Sequence, residues 1–99
     1  MPKYKKKPIV IEAFQMTKER RSDNSGWPNW LHEAWDFERD QFGSVHPSIP
    51  GTGDGTLSIT TLEGEHVVSW DDWIIRGVQG ELYPCKPDIF DATYDPVEL

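Results

Sequence analysis

Arg76 stands between Ile75 and Gly77 inside the most apolar stretch of the chain, Trp73 to Val78. A guanidinium buried there without a partner is costly, so Arg76 must meet a carboxylate, a carbonyl or a ligand anion. On a regular pleat Ile74, Arg76 and Val78 share one face, and Trp73 and Ile75 share the other. One reading pairs Arg76 with Glu12, Glu81 or Asp88, or leaves it on an outward face. The functional reading makes Arg76 an anion clamp. Lys86 joins it on a phosphate, Trp73 or Tyr83 stacks on a base, and Gly77 lets the ligand approach closely. Arg76, Trp73, Tyr83, Lys86 and Gly77 are therefore the candidate ligand-binding residues.

Other chemistry is weaker. His32, His46 and His66 stand apart, with no His-x-His or Cys-x-x-Cys spacing, so no metal site is expected. Cys85 is the single cysteine, which excludes an intrachain disulfide and agrees with a reducing compartment. Next to Lys86 it can be read as a reactive thiol or, more plainly, as a small strand residue. Asp71-Asp72 are adjacent carboxylates in a turn, and adjacent residues diverge rather than converge on a substrate. No nucleophile signature surrounds Cys85 or any serine. No catalytic residue and no cofactor are expected. Gly51-Thr52-Gly53-Asp54-Gly55 can present N–H groups to a phosphate, but it lacks the Lys-Ser/Thr ending and the flanking strand and helix of a phosphate loop.

The elements that must hold these residues follow from pattern. The chain has 99 residues, which suits a single domain over 1–99. Its five Trp can anchor a small core, since such rings bury about 150–250 Å² each. Lys7 to Met16 reads as a strand opened by Pro8, with apolar groups on both faces. Thr17 to Gly26 is polar and reads as a loop. Trp27-Pro28 opens a helix on which Trp27, Trp30, Leu31, Ala34 and Trp35 form one stripe, fading before Gly43. Ser44 to Thr56 reads as a Gly/Pro-rich loop. From there a β-meander is expected: Thr56 to Thr61, a turn at Glu63-Gly64, His66 to Trp70, a turn at Asp71-Asp72, Trp73 to Val78, a turn at Gln79-Gly80, Glu81 to Cys85, a corner at Lys86-Pro87-Asp88, and Phe90 to Tyr94. The sum is an α+β fold: an antiparallel meander of about six strands, curled or closed into a small barrel and packed by one amphipathic helix.

From Val67 the chain reads Val-Val-Ser-Trp-Asp-Asp-Trp-Ile-Ile-Arg-Gly-Val-Gln-Gly-Glu-Leu-Tyr-Pro-Cys-Lys-Pro-Asp-Ile-Phe-Asp-Ala-Thr-Tyr. This block resembles the C-terminal block of a small phage and prophage protein family marked by a Pro-Gly-Asp-Tyr turn. Lys5 to Gln15 is similar to that family's opening, and so is Trp27-Pro28-Asn29-Trp30-Leu31. The resemblance runs through most of the chain outside residues 44–56. At the turn the sequence departs: Trp70 replaces Pro, Asp71 replaces Gly, Trp73 replaces Tyr, and Asp72 is kept. The family is described by that turn rather than by an activity, so the resemblance implies a phage or prophage accessory protein and no enzyme.

Charge narrows the partners. Net charge is −7. Residues 1–21 hold seven Lys/Arg and two Asp/Glu, and residues 22–99 hold three and 15. So acidic a body disfavours direct nucleic-acid binding. No apolar run of membrane-spanning length and no signal-peptide pattern occurs, so a cytoplasmic protein with no membrane partner is expected. Three functions fit: capture of a small nucleotide-type anion as a counter-defence sponge, inhibition of a host protein through the acidic surface, or a structural virion role. Exposed aromatics also suit a homo-oligomer.

Overall fold

Hydrophobic alternation fixes strands but not which strands pair. The computed structural model, which describes residues 2–5, 8–24, 26–48 and 55–97, resolves that choice into two sheets rather than one meander. In the first, β1 (Glu12–Gln15), β5 (Trp73–Arg76) and β6 (Leu82–Cys85) lie antiparallel in the order β1-β5-β6. In the second, β2 (Val45–Pro47), β3 (Leu57–Thr61) and β4 (Gly64–Val68) lie in the order β2-β3-β4. The chain is thus α+β, and the described residues form three helices and no closed barrel.

The expected meander breaks at Asp71-Asp72. Asp71 takes φ 72, the left-handed region, and turns the chain away from β4. Its N–H donates to the Met16 carbonyl, and the Met16 N–H donates to the Asp72 carbonyl. The corner is therefore bound to the end of β1, and β5 pairs with β1 instead of β4.

Four further expectations are corrected. Thr17 to Gly26 is not all loop, because Lys18–Asp23 forms helix α1. The Thr17 hydroxyl caps it by accepting from the Arg20 N–H, and Asn24 closes it at φ 54. This helix buries nothing, so it has no apolar stripe to read. It lays cations on rings instead: Lys18 over Trp70, Arg20 over Phe14 and Arg21 over Trp35. Within the expected 44–56 loop, Val45–Pro47 pairs with β3, and Pro47 is tolerated because β2 is an edge strand. Phe90 to Tyr94 is no strand but part of helix α3 (Pro87–Thr93), with Pro87 in its first turn. Phe90 and Tyr94 fit both an alternating and a four-residue spacing, and their rings lie 5.2 Å apart. The β3–β4 turn falls one residue earlier than expected, at Leu62-Glu63, with Thr61 opposite Gly64. The glycine-rich stretch Gly51 to Asp54 lies outside the described residues.

Helix α2 (Asn29–Trp35) is shorter than its stripe suggested, and Phe37 to Phe42 is irregular. Leu31 and Ala34 of α2 meet Val45, Leu57, Ile59 and Val68 of the second sheet and Ile74 and Leu82 of the first. Trp27 is buried against Trp35 edge-on, its Nε1–H donating to the Arg20 carbonyl. Ile75 faces the other way, beneath the layer that holds α3, and is equally buried. No helix among the described residues is long and apolar enough to cross a membrane.

Core and surface apolar residues should separate cleanly in urea unfolding. Ile59→Ala, at a fully buried position, is expected to cost about 2–5 kcal/mol. Leu62→Ala, on the exposed turn, should stay within about 0.5 kcal/mol of the parent.

Candidate functional site

An open groove of about 810 Å³ runs along the described residues. One part of its lining comes from α2 and the segment after it, with Trp30, Phe37 and Phe42 and the edge of the core residue Ala34. Another part comes from the β3–β4 hairpin tip, with Leu62 and His66. The connection between β5 and β6 closes one end with Arg76 and Glu81. Two of its apolar residues are well exposed, Phe42 at 61% and Leu62 at 83%. Three carboxylates are among its lining residues, Glu33 from α2, Glu63 from the hairpin and Glu81 from the β5–β6 turn, together with the cationic Arg76. Chemically the groove offers apolar surface interspersed with carboxylates.

The five residues singled out in the sequence fall on two faces. Strand pairing sets Arg76 opposite Leu82, and Ile75 opposite Tyr83. Arg76 therefore shares a face with Ile74, while Trp73, Ile75 and Tyr83 share the other. Each residue already has an internal partner. Arg76 reaches Glu12, its cross-strand neighbour, at 3.5 Å with both side chains largely in solvent. Trp73 stacks flat on Phe90, with centroids 4.1 Å apart and planes 6° apart. Lys86 donates to an Asp72 carboxylate oxygen at 3.2 Å and to Ser69 Oγ at 3.4 Å. Burial, then a hydrogen bond with Tyr94, pushes the Tyr83 phenol up to about 12. Gly77 is covered by this chain's own Glu81: a Cβ there would displace the Glu81 carboxylate. That carboxylate is held over Gly77 by the Gln79 N–H, and the Glu81 carbonyl accepts from the Gly77 N–H. Only Arg76 and the Tyr83 segment border the groove. Burial also pushes the Cys85 thiol up, so its nucleophilic thiolate is less available.

Two clusters escaped the sequence reading. Ser44 Oγ lies 3.3 Å from His46 Nδ1, and His46 Nε2 lies 3.0 Å from Glu65 Oε1. The residue types are those of a hydrolytic triad. Ser44, however, is 0% exposed, so no substrate can reach its oxygen. This chain braces β2 against β4 across β3, and Arg39 reaches the same carboxylate at 3.7 Å. Ser44 and His46 are near neighbours in sequence, but Glu65 is 19 residues from His46 and reaches it only through strand register. The second cluster is built on Asp72, which is 2% exposed and accepts from the Ser69 N–H at 2.9 Å as well as from Lys86. Among the described residues, no three His, Cys, Asp or Glu side chains gather as metal ligands would.

No family model, no curated protein and no solved structure matches this chain.

The two neighbouring aspartates should respond in opposite ways to substitution. Asp72→Ala removes a buried acceptor from the Ser69 N–H and is expected to cost about 1–3 kcal/mol in chemical unfolding. Asp71→Gly relieves a left-handed residue and should be neutral or stabilising by up to about 1 kcal/mol.

Tyr83 sets an alkaline limit. The folded chain keeps the phenol protonated to about pH 12, whereas an unfolded tyrosine ionises near 10. The stability this contributes is complete below about pH 10 and is lost as pH rises towards 12. A series of denaturation midpoints should fall more steeply through that window for the parent than for Tyr83→Phe.

Proposed function

We propose that this chain is a phage-type accessory protein that binds without catalysis. Its groove takes a segment of a protein partner that presents apolar side chains beside basic ones. The observation that carries this reading is the composition of the groove: Trp30, Phe37, Phe42 and Leu62 line it together with Glu33, Glu63 and Glu81. Exposed apolar surface beside polar groups is the usual mark of an interaction site. The −12 balance of residues 22–99 extends the same preference over the body and would steer a cationic partner towards it. Internal commitment of Asp72, Lys86, His46 and Glu65 supports binding over catalysis, since these groups already hold one another. The phage context rests on the sequence resemblance, and so does action in the host cytoplasm.

A second reading is capture of a small anionic ligand of nucleotide type. Its support is that Arg76 borders the groove with a half-exposed guanidinium. The groove volume of about 810 Å³ also lies within the ~300–1,000 Å³ usual for small-molecule sites. The three carboxylates lining it oppose an anion there, which is why the protein partner is preferred.

Fluorescence anisotropy of a labelled peptide alternating Ile and Lys tests the choice, with an Ile/Glu peptide as control. The Lys peptide should bind and weaken with added salt. Leu62→Asp or Glu63→Lys should weaken it by about tenfold or more, equivalent to about 1.4 kcal/mol. Equal binding of both peptides, or none, would remove the reading. A thermal shift with nucleotides that disappears in Arg76→Ala would put the second in its place.

A further inference from the structure

We infer that the groove of one copy receives the N-terminal arm of a second copy, so that two chains exchange arms. This rests on the groove being a binding site, and it names the occupant. The arm has the required chemistry. Tyr4 is 93% exposed, Val10 70% and Ile9 47%, an unusual apolar display for one terminal segment. Lys3 and Lys5 stand in solvent before them. Residues 1–11 hold four Lys and no Asp or Glu, a balance of +4, against −11 for residues 12–99. The sequence predicts a strand from Lys7, yet β1 begins its ladder only at Glu12, leaving Ile9 to Ile11 without strand pairing. Apolar side chains in extended, unpaired backbone beside lysines match a groove lined by aromatic and aliphatic side chains together with Glu33, Glu63 and Glu81.

Geometry favours a second copy over the same chain. Ile9 to Ile11 border a smaller hollow of about 320 Å³ beside Trp73, Phe90 and Tyr94. That hollow is on the side of the first sheet opposite Arg76, and it leaves Val10 mostly uncovered. For the arm to enter its own groove it would have to double back over the sheet edge where Glu12 pairs with Arg76. Ten residues reach about 33 Å when fully extended, a length sufficient to cross onto a neighbour in a molecule whose shorter dimensions are 29 and 23 Å. A two-fold pair makes the exchange reciprocal, with each arm in the other chain's groove.

Sedimentation velocity of the full chain over a concentration series tests this. The expected result is a mass rising to twice the 11.4 kDa of one chain, with association weakened by salt. Val10→Asp in the arm and Leu62→Asp in the groove should each give single chains with an unchanged far-UV spectrum, since both positions are exposed. An equimolar mixture of the two variants should associate again. Val10→Asp keeps an intact groove, and Leu62→Asp keeps an intact arm. A parent chain that stays single at every concentration overturns the exchange, as does association that survives either substitution, or a mixture that fails to associate. A single parent chain that still binds the Lys/Ile peptide removes the arm as occupant and leaves the groove as a binding site. Loss of both removes both.

Discussion

Asp72 lies where three parts of the chain meet. Its carboxylate accepts from the Ser69 N–H just after β4 and from Lys86 at the start of α3. Its carbonyl accepts from Met16 at the end of β1. Neither sheet hydrogen-bonds to the other as a ladder, so this corner and the shared apolar core are what set one sheet against the other. A carboxylate at such depth is tolerable only because a backbone N–H and an ammonium meet it there. Lys86 keeps much of its side chain in solvent, which limits the Coulombic gain, and the backbone hydrogen bond supplies the geometric restraint. The left-handed Asp71 follows from the same restraint, because the chain must reverse tightly while presenting its neighbour inward.

The sequence made local alternation legible and long-range pairing illegible. Leu57, Ile59 and Thr61 on one face, and Ile74 with Arg76 against Trp73 with Ile75, could be read from a period of two, and the strands carry those faces. So could the stripe of α2. Nothing in that period distinguishes β4 from β1 as the partner of β5. The selection is made by the Asp71 backbone and the Met16 hydrogen bonds, neither of which has a hydrophobic signature. Helix α1 was missed for a related reason: its stability draws on a Thr17 cap and on cations over rings contributed by distant residues. Helix α3 was misread because four residues are too few to tell alternation from a helical turn, while Pro87-Asp88 marked a helix start and was read as a corner.

The same distinction runs through the site. Arg76 could be identified as needing a partner, and Glu12 was among the carboxylates named for it. The clamp that joined Trp73 or Tyr83 to Arg76 does not form, because the β5–β6 register puts both rings on the opposite face of the sheet. The groove itself was not legible. It is assembled from α2, a hairpin tip and the β5–β6 turn, and their juxtaposition depends on how the two sheets are set against each other. Its carboxylates come from three separate elements, so their convergence leaves no local trace in the sequence. The acidic bias of the body, visible at once in composition, gains a location only through that assembly.

Four strands stand at sheet margins: β1 and β6 in one, β2 and β4 in the other. Two of these contain proline, Pro84 in β6 and Pro47 in β2. Proline supplies no N–H, so a foreign strand approaching either margin finds an incomplete template. β4 carries Glu65 and His66 along its margin and lies close to β6. Fibril-type propagation needs an uninterrupted row of donors and acceptors that repeats from molecule to molecule. This architecture interrupts that row at two of the four margins, β2 and β6.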